Sequence, residues 1–280
     1  MAGYADLHVH TNYSDGLLSP EEVIGKALEA GLKAISITDH DCTDGIDPAI
    51  EAASGNDIEV IPGVEISSVI GQSEIHILGY FIDHHHPVLS EMLEGMKASR
   101  VGRMRKMVDL LNGKGFPLDA ETVLESAPSG TVGRLHLARL MKQEGFVRSL
   151  REAFDNYIGN GRPCHVAHER LEHTRAIEVI RSAGGVPVLA HPGTCGGERH
   201  LEELVKEGLR GIEVYHSDHG VLDEEKYAGL ASKHGLVVSG GSDCHGAAIK
   251  GEILIGKFCV TEEIVDVLRK EAGRIRGSQK

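Results

Sequence analysis

The sequence contains no tryptophan and few aromatic residues of any kind. Only 4% of its 280 residues are Phe, Trp or Tyr, which disfavours a surface that stacks the bases of long single-stranded nucleic acid. It has no apolar run long enough to span a bilayer, and no signal peptide precedes the first apolar segment. We therefore expect a soluble, cytoplasmic protein with no membrane partner.

Cysteine is sparse and shows no pattern. The five cysteines are odd in number and none is spaced as Cys-x-x-Cys, which disfavours a disulfide framework or a structural zinc knuckle. Histidine is abundant instead, with 17 residues, and the 35 glycines suit many tight turns between strands and helices. With 41% hydrophobic residues, the chain is long enough to build one large domain with its own core.

Positive charge is scarce overall, and the formal net charge is −13. Residues 96–170 hold 13 Lys and Arg against 8 Asp and Glu, whereas the rest of the chain holds 16 against 34. The acidic remainder disfavours a long nucleic-acid partner and favours a body that gathers cations. The basic middle segment is either an anion-binding surface or a solvated helical face.

Strand and helix patterns alternate along two stretches of the chain. The predicted strands lie at 4–8, 33–38, 58–65, 74–81, 186–190, 211–215, 236–240 and near 253–255. Predicted helices separate them at about 20–30, 46–54, 174–183, 198–207, 223–234 and 261–270. Because such alternation builds a parallel sheet, we predict an α/β fold with an irregular TIM-like (β/α)7 barrel.

The pattern changes to purely helical between about Leu89 and Asp155. Met104, Met107 and Leu111 recur at helical spacing before Asn112-Gly113 ends that helix, and further helices are predicted at 119–126, 133–144 and 149–156. We interpret this stretch as an inserted helical subdomain. The predicted organisation is a first barrel part at 1–88, a substrate-capping insertion at 89–163 and a second barrel part at 164–280.

Metal-ligand side chains recur around the ends of the predicted strands. His8 and His10 lie on one face of the first strand, roughly two rises of ~3.3 Å apart. The full candidate set is His8, His10, Asp15, His40, Glu65, His76, His191, Asp243 and His245. Since the active site of a TIM-like barrel lies at the carboxyl ends of its strands, we predict that the set forms one metal site, with Glu65 as a bridging carboxylate. Imidazole and carboxylate ligands without a thiolate suit zinc, manganese or iron.

Five short motifs resemble those of the PHP (polymerase and histidinol phosphatase) family of metal-dependent phosphoesterases. They are Ala5-Asp6-Leu7-His8-Val9-His10-Thr11, Ser36-Ile37-Thr38-Asp39-His40-Asp41, Gly63-Val64-Glu65, Ala190-His191-Pro192-Gly193 and Gly241-Ser242-Asp243-Cys244-His245. The segment Gly133-Arg134-Leu135-His136-Leu137-Ala138-Arg139 resembles the branch of nucleoside 3′,5′-bisphosphate phosphatases and 5′-to-3′ oligoribonucleases. The resemblance covers almost the whole chain.

The resemblance implies an irregular seven-stranded barrel with two or three divalent metal ions. The first ion would be held by His8, His10, Glu65 and Asp243, the second by Glu65, His76 and His191, and the third by Asp15, His40 and His245. A hydroxide that bridges two ions, held through Glu65 and Asp243, would attack phosphorus. The expected substrate contacts are Arg134, His136, Arg139 and His219. His216 competes with His219, and surface charge is the alternative for the arginines.

Three functions are compatible with these residues. The first is removal of the 3′-phosphate from nucleoside 3′,5′-bisphosphates, and the second is 5′-to-3′ exonuclease action on short 5′-phosphorylated RNA. A non-catalytic metal- or nucleotide-binding module is the third, and a histidinol-phosphatase-type monoesterase is a further alternative. The expected partner is accordingly a small phosphorylated substrate, either a nucleotide or a short oligoribonucleotide.

Several polar residues near these motifs stay outside the predicted site. Asp39 and Asp41 either orient imidazoles or cap a helix. The run His84-His85-His86-Pro87 is interpreted as a solvated loop, because consecutive side chains in a turn are expected to diverge. No role is assigned to the remaining histidines His165, His168, His173, His200 and His234.

Overall fold

Strands and helices alternate around a nearly closed barrel in a computed structural model that describes residues 3–71, 73–127, 131–167, 171–247 and 251–278. The strands are β1 (Tyr4–Val9), β2 (Ala34–Ile37), β3 (Glu59–Ile70), β4 (Ser73–Tyr80), β5 (Val186–Leu189), β6 (Gly211–His216), β7 (Val237–Gly241) and β8 (Val260–Thr261). The helices are α1 (Pro20–Glu29), α2 (Ile46–Ala53), α3 (Pro87–Asn112), α4 (Ala120–Glu125), α5 (Arg134–Gln143), α6 (Leu150–Ala153), α7 (His173–Ser182), α8 (Pro192–Cys195), α9 (Leu201–Lys206), α10 (Val221–His234) and α11 (Glu262–Gly277).

The sheet has the strand order β7-β6-β5-β4-β3-β2-β1-β8. The chain after β7 returns to β1 and closes the barrel: the Asp243 amide donates to the His8 carbonyl at 2.8 Å, and the His10 amide donates to the Cys244 carbonyl at 3.1 Å. Gly241 allows this approach, because a Cβ there would overlap the backbone nitrogen of His8. The predicted α/β barrel is confirmed. It is irregular because a few backbone hydrogen bonds close it, instead of a continuous strand pairing between β7 and β1.

Two strands, β4 and β8, run against the predicted parallel order. β4 is antiparallel to both β3 and β5. The cause is the short β3–β4 connection after Ile70, which includes Gly71 at φ +60°, because a tight turn can join only antiparallel neighbours. The sheet is therefore mixed, and among the described residues it has eight strands rather than seven.

The predicted final strand near 253–255 is wrong. Gly251 and Gly256 flank that segment at φ +76° and +81°, outside the extended region, and the Gly256 amide donates to Asp6 Oδ2 at 3.1 Å. The closing strand is instead β8, which pairs antiparallel with β1. Two predicted helices are also shorter than expected: a 3₁₀ turn at Gly197–His200 precedes α9, and a π-helical turn at Phe154–Ile158 follows α6.

Helices alone are found among the described residues 87–167, where they build a hydrophobic cluster of their own. Met104 and Met107 of α3 pack there with Leu137 and Met141 of α5. Leu89, near the start of α3, belongs to the barrel-side cluster instead. α3 thus connects the two cores, and the limits 89–163 for an insertion stay a prediction.

Hydrophobic strand residues fill the barrel. Leu7, Ile61 and Val188 belong to its interior cluster together with Tyr80. A second cluster lies between the outer face of the strands and the surrounding helices. In the part of the chain that the structure describes, no helix has both the length and the apolar character needed to cross a membrane.

Candidate metal centre

The barrel places the predicted ligands at one rim. His8 lies in β1, His40 follows β2, Glu65 lies in β3 and Asp243 follows β7. His76 is in the first half of β4 and reaches the same rim because β4 runs in the opposite direction, with His76 paired to Ser67 of β3. The antiparallel strand therefore explains why this one ligand does not sit at a carboxyl end.

Glu65 lies at the middle of the cluster and is fully buried. Five imidazole nitrogens face its two oxygens: His8 Nε2, His10 Nε2 and His40 Nδ1 at 3.2 Å from Oε2, His76 Nδ1 at 2.8 Å and His191 Nε2 at 2.9 Å from Oε1. A single carboxylate thus touches ligands from four other parts of the barrel, which is the arrangement that a bridging ligand requires.

Two further carboxylates flank Glu65. Asp243 Oδ1 lies 3.4 Å from His8 Nε2 and 3.0 Å from His10 Nε2. Asp15 Oδ1 lies 3.1 Å from His245 Nε2 and 4.0 Å from His10 Nδ1. The ligand atoms of His8, His10, Glu65 and Asp243 are mutually within 4.8 Å, as are those of His10, Asp15, His40 and His245.

The hydrogen bonds of three histidines fix which ring nitrogen faces the cluster. His8 Nδ1 donates to Glu213 Oε1 at 2.9 Å, and His245 Nδ1 donates to the Asp243 carbonyl at 3.0 Å. His191 Nδ1 lies 2.9 Å from Thr194 Oγ1, whose own hydrogen is directed to the His191 carbonyl at 3.1 Å. In these rings Nδ1 is engaged away from the cluster, so Nε2 is the nitrogen that faces the carboxylate oxygens.

Imidazole nitrogens that crowd carboxylate oxygens at about 3 Å form a donor set for metal cations. Among the described residues, both ring nitrogens of His10, Nδ1 of His40 and Oδ1 of Asp15 are buried without a hydrogen bond. Buried polar atoms are rarely left unpaired because the cost of desolvation is high. The donor set therefore fits divalent cations that accept imidazole and carboxylate ligands.

The electrostatics of the rim also favour cations. Burial alone would raise the pKa of Glu65, but His40, His8 and His76 hold the pKa well below its usual value. The pKa values of Asp15 and Asp243 are lowered in the same way by neighbouring imidazoles. Burial lowers the pKa of His10, yet Asp243 and Glu65 outweigh it and raise that pKa to about 10. All three carboxylates are thus ionised at neutral pH.

Backbone strain collects at this rim. His191 has φ +25°, Asp243 φ +52° and Asp41 φ +49°, three of the four non-glycine residues with positive φ in the described ranges. Such conformations cost of order 1–3 kcal/mol each and persist where the surroundings impose them. Here they turn the side chains of His191 and Asp243 into the cluster.

The sequence analysis did not identify Glu213, and it favoured His219 over His216. Glu213 is fully buried in β6, where it accepts from His8 Nδ1 and, at 2.7 Å, from the His191 amide. His216 Nε2 faces Asp243 Oδ2 at 3.4 Å. The available signal was a charged residue inside an apolar strand, Gly211-Ile212-Glu213-Val214, which rarely occurs without a buried partner.

The residues predicted to contact the substrate are buried to different extents. Arg134 lines a cavity beside the cluster, whereas His136 is buried, with its Nδ1 accepting from the Gly133 amide at 3.1 Å. Arg139 Nη2 donates to the Asp15 carbonyl at 2.7 Å. His219 Nδ1 donates to the Val214 carbonyl at 2.8 Å, and its ring lies 5.2 Å from that of His216. Their contact with a substrate stays a prediction.

The cavity has a volume of about 730 Å³, the size of a pocket for a small ligand. Its lining includes the rim residues Asp15, His40, His76 and His245 as well as Arg100, Arg103, Arg134 and Phe154. In the sequence analysis, Arg100 and Arg103 contribute only to the positive charge of residues 96–170. Their spacing of three residues on α3 places them on one helix face, but which face turns to the cavity depends on tertiary packing.

Asp39 and Asp41 hold the loops that carry the ligands. Asp39 accepts from the Thr11 amide at 2.7 Å and from the Thr11 hydroxyl at 2.6 Å, within the turn that leads to Asp15. Asp41 is bound by Arg100, whose Nε lies 2.8 Å from Oδ2, and it accepts from the Ser67 amide at 2.8 Å. Neither caps α2, which begins after Gly45 without a side-chain cap.

The histidines without an assigned role stay outside the cluster where they are described. His173 Nδ1 lies 3.3 Å from the Val69 carbonyl, and His200 Nε2 lies 3.5 Å from Ser73 Oγ. His168 lies outside the described residues. None of those that the structure describes adds a ligand to the rim.

Comparison with known proteins gives consistent matches over most of the chain. Residues 6–100 match the PHP domain family. The chain is 35% identical over 246 residues to a 3′,5′-nucleoside bisphosphate phosphatase of Chromobacterium violaceum, with 86% of each chain covered. It is 36% identical over 247 residues to the 5′-3′ exoribonuclease Rnm of Escherichia coli, covering 86% of this chain and 84% of that one.

A solved structure from Bifidobacterium adolescentis, described as a candidate metal-dependent phosphoesterase, superposes with a TM-score of 0.86. The two chains are 29% identical, and 94% of each is covered. The superposition extends through the barrel and the helices alike. Together with the two relatives, it shows that this chain belongs to the PHP family of metal-dependent phosphoesterases.

Proposed function

We propose that the rim holds two or three divalent cations, of zinc, manganese or iron, and that the protein removes the 3′-phosphate from nucleoside 3′,5′-bisphosphates. The proposed ligands are those of the predicted set, grouped as His8, His10, Glu65 and Asp243; Glu65, His76 and His191; and Asp15, His40 and His245. Bound cations would supply an activated water and neutralise charge on the phosphoryl oxygens.

The observation that carries this proposal is that positive side chains and rim ligands line the same cavity. Arg100, Arg103 and Arg134 belong to its lining together with Asp15, His40, His76 and His245. A substrate with two phosphates can therefore place one at the rim and the other among the guanidinium groups, which bind phosphate through paired hydrogen bonds.

The positive charges of this arginine group lie close together. Arg100 is bound to Asp41, and Arg134 Nη2 lies 3.9 Å from Glu74 Oε2. Burial, Arg134 and Arg100 together lower the pKa of Arg103 to about 9, which reports crowding of like charges in a place with little water. A phosphate would relieve that repulsion, whereas a neutral substrate would not.

Apolar side chains also line part of the cavity. Leu135, Leu150 and Phe154 belong to its lining, and the Arg134 guanidinium lies 5.8 Å from the centre of the Phe154 ring. A nucleoside base has a flat apolar face that can pack on such a surface.

In the proposed reaction water adds to phosphorus, the P–O3′ bond breaks, and the ribose oxygen leaves with a proton.

A second candidate is 5′-to-3′ exonuclease action on short 5′-phosphorylated RNA. It is favoured by the match to the Escherichia coli exoribonuclease, which is as similar as the match to the phosphatase. Both substrates carry a 5′-phosphate and both reactions displace a ribose oxygen from phosphorus. The arginine group would serve the 5′-phosphate in either reaction.

A substrate comparison tests the proposal. We expect kcat/KM for adenosine 3′,5′-bisphosphate to exceed that for adenosine 3′-monophosphate by more than about tenfold, since hydrogen bonds to a charged group contribute ~1.5–3 kcal/mol. Higher kcat/KM for a short 5′-phosphorylated RNA would favour the exonuclease. Preference for histidinol phosphate would contradict both, and absence of turnover for all substrates with metal supplied would leave a binding module.

A further inference from the structure

A second group of metal-ligating side chains lies apart from the rim and its cavity. Asp47 is in the first turn of α2, and His84 and His85 are in the connection between β4 and α3. His84 Nε2 lies 2.9 Å from Asp47 Oδ1, and His85 Nε2 lies 3.4 Å from Asp47 Oδ2. The ligand atoms of the three residues are mutually within 4.8 Å.

The two histidines converge, although consecutive side chains in a turn were expected to diverge. Their ring centres are only 4.1 Å apart, with planes inclined by 40°. Each ring directs Nε2 to a different oxygen of the same carboxylate. The interpretation of this run as a plain solvated loop is therefore wrong about its geometry.

The connection that carries these histidines is held in shape by its own hydrogen bonds. The Asp83 amide donates to the Ala183 carbonyl at 2.8 Å, and the His86 amide donates to the Asp83 carbonyl at 3.0 Å. Asp83 Oδ1 accepts from the His85 amide at 3.1 Å. The side chain of His84 is only 14% exposed, so its ring has little freedom to leave Asp47.

The donor atoms are spaced as ligands of one ion. Zinc binds imidazole nitrogen at about 2.0–2.1 Å and carboxylate oxygen at about 2.0–2.2 Å, so tetrahedral neighbours lie roughly 3.3 Å apart. The two measured separations, 2.9 and 3.4 Å, bracket that value. The side chains of His85 and Asp47 are 70% and 62% exposed, so solvent can complete the coordination.

We propose that Asp47, His84 and His85 form a surface site for one divalent cation of borderline softness, for which Zn²⁺ is the probe. Two imidazoles and one carboxylate suit zinc and disfavour magnesium, which prefers oxygen ligands alone. The bound ion would link the first turn of α2 to the start of α3. This site is separate from the phosphoesterase centre and does not depend on the function proposed for it.

Zinc binding to paired variants tests the site. Equilibrium dialysis of the full chain should show that His85→Ala binds one Zn²⁺ fewer at saturation than the unsubstituted protein, or binds that ion more than tenfold more weakly. The reason is that losing a direct ligand should weaken metal binding at least as much as losing an outer-shell partner. Asp47→Asn, which keeps the side-chain shape, should give the same deficit. His234→Ala, at the end of α10, is the matched control and should bind as the unsubstituted protein does.

The phosphoesterase centre is separated from this readout by its own variant. In an Asp243→Asn background, Zn²⁺ should still raise the melting temperature, and adding His85→Ala should reduce that rise by as much as it does in the unsubstituted protein. Equal zinc binding by His85→Ala and the unsubstituted protein would overturn the proposal. So would an equal deficit in His234→Ala, or binding of Mg²⁺ at this site as tight as that of Zn²⁺.

Discussion

The barrel rim and the helical stretch at residues 87–167 contribute to one cavity in opposite ways. The rim offers carboxylates and imidazole lone pairs that are buried and fixed by neighbouring strands, as Glu65 and His8 show. The helices offer guanidinium groups at the ends of long side chains. The side chain of Arg134, for example, is partly buried and is held by a few side-chain contacts. The ligand cluster thus belongs to the strands of the barrel, whereas the arginines proposed to select the substrate lie on helices with a hydrophobic cluster of their own.

The largest effect is expected from Glu65→Gln. This change removes the charge that faces five imidazoles, so we predict loss of bound metal and a fall in kcat on the order of 10³-fold or more. Glu59→Gln, at the exposed start of the same strand, is the control and should leave both unchanged. Metal analysis and turnover of adenosine 3′,5′-bisphosphate measure the result, and retained metal with full turnover would refute the role of Glu65.

The ion pair between Arg100 and Asp41, which joins the two regions, should give the next largest effect, measured as a loss of stability. Arg100→Ala leaves the fully buried carboxylate of Asp41 without its cation, which should lower the free energy of unfolding by about 3–5 kcal/mol. Urea unfolding measures the loss. Arg105→Ala, an exposed arginine on the same helix paired with Glu121, should cost no more than about 1 kcal/mol. Equal losses in both variants would show that Arg100 and Asp41 are not a buried ion pair.

Glu213→Gln probes how rigidly the rim holds its ligands. The amide can no longer accept from both His8 Nδ1 and the His191 amide, so the tautomer of His8 is less well fixed. We expect metal affinity to fall by about 10–100-fold while kcat at saturating metal recovers most of its value. Activity measured against metal concentration decides the matter; a loss of kcat that added metal does not restore would assign Glu213 a different role.

Arg134→Ala should give the smallest and most selective change. We expect kcat/KM for adenosine 3′,5′-bisphosphate to fall about tenfold, while turnover of p-nitrophenyl phosphate, which has no second phosphate, stays the same. Arg105→Ala again serves as the control. If both substrates lost activity equally, Arg134 would belong to the reactive centre and the division between the ligand cluster and the selecting arginines would fail.

The sequence predicted the rim better than the helical side for a physical reason. Ligands such as His8 and Asp243 follow apolar strand patterns that can be recognised locally, and their convergence follows from barrel geometry. Glu213 was missed because its partner His8 is 205 residues away, and Arg100 because a helix face cannot be oriented without its packing. The antiparallel direction of β4, which carries His76, depended on one short turn.

The most direct test of the account is anomalous X-ray scattering from crystals of the protein grown with manganese or zinc. The account predicts peaks at the barrel rim, one of them within coordination distance of Glu65, His8, His10 and Asp243. Full metal occupancy elsewhere, with no peak beside Glu65, would contradict it.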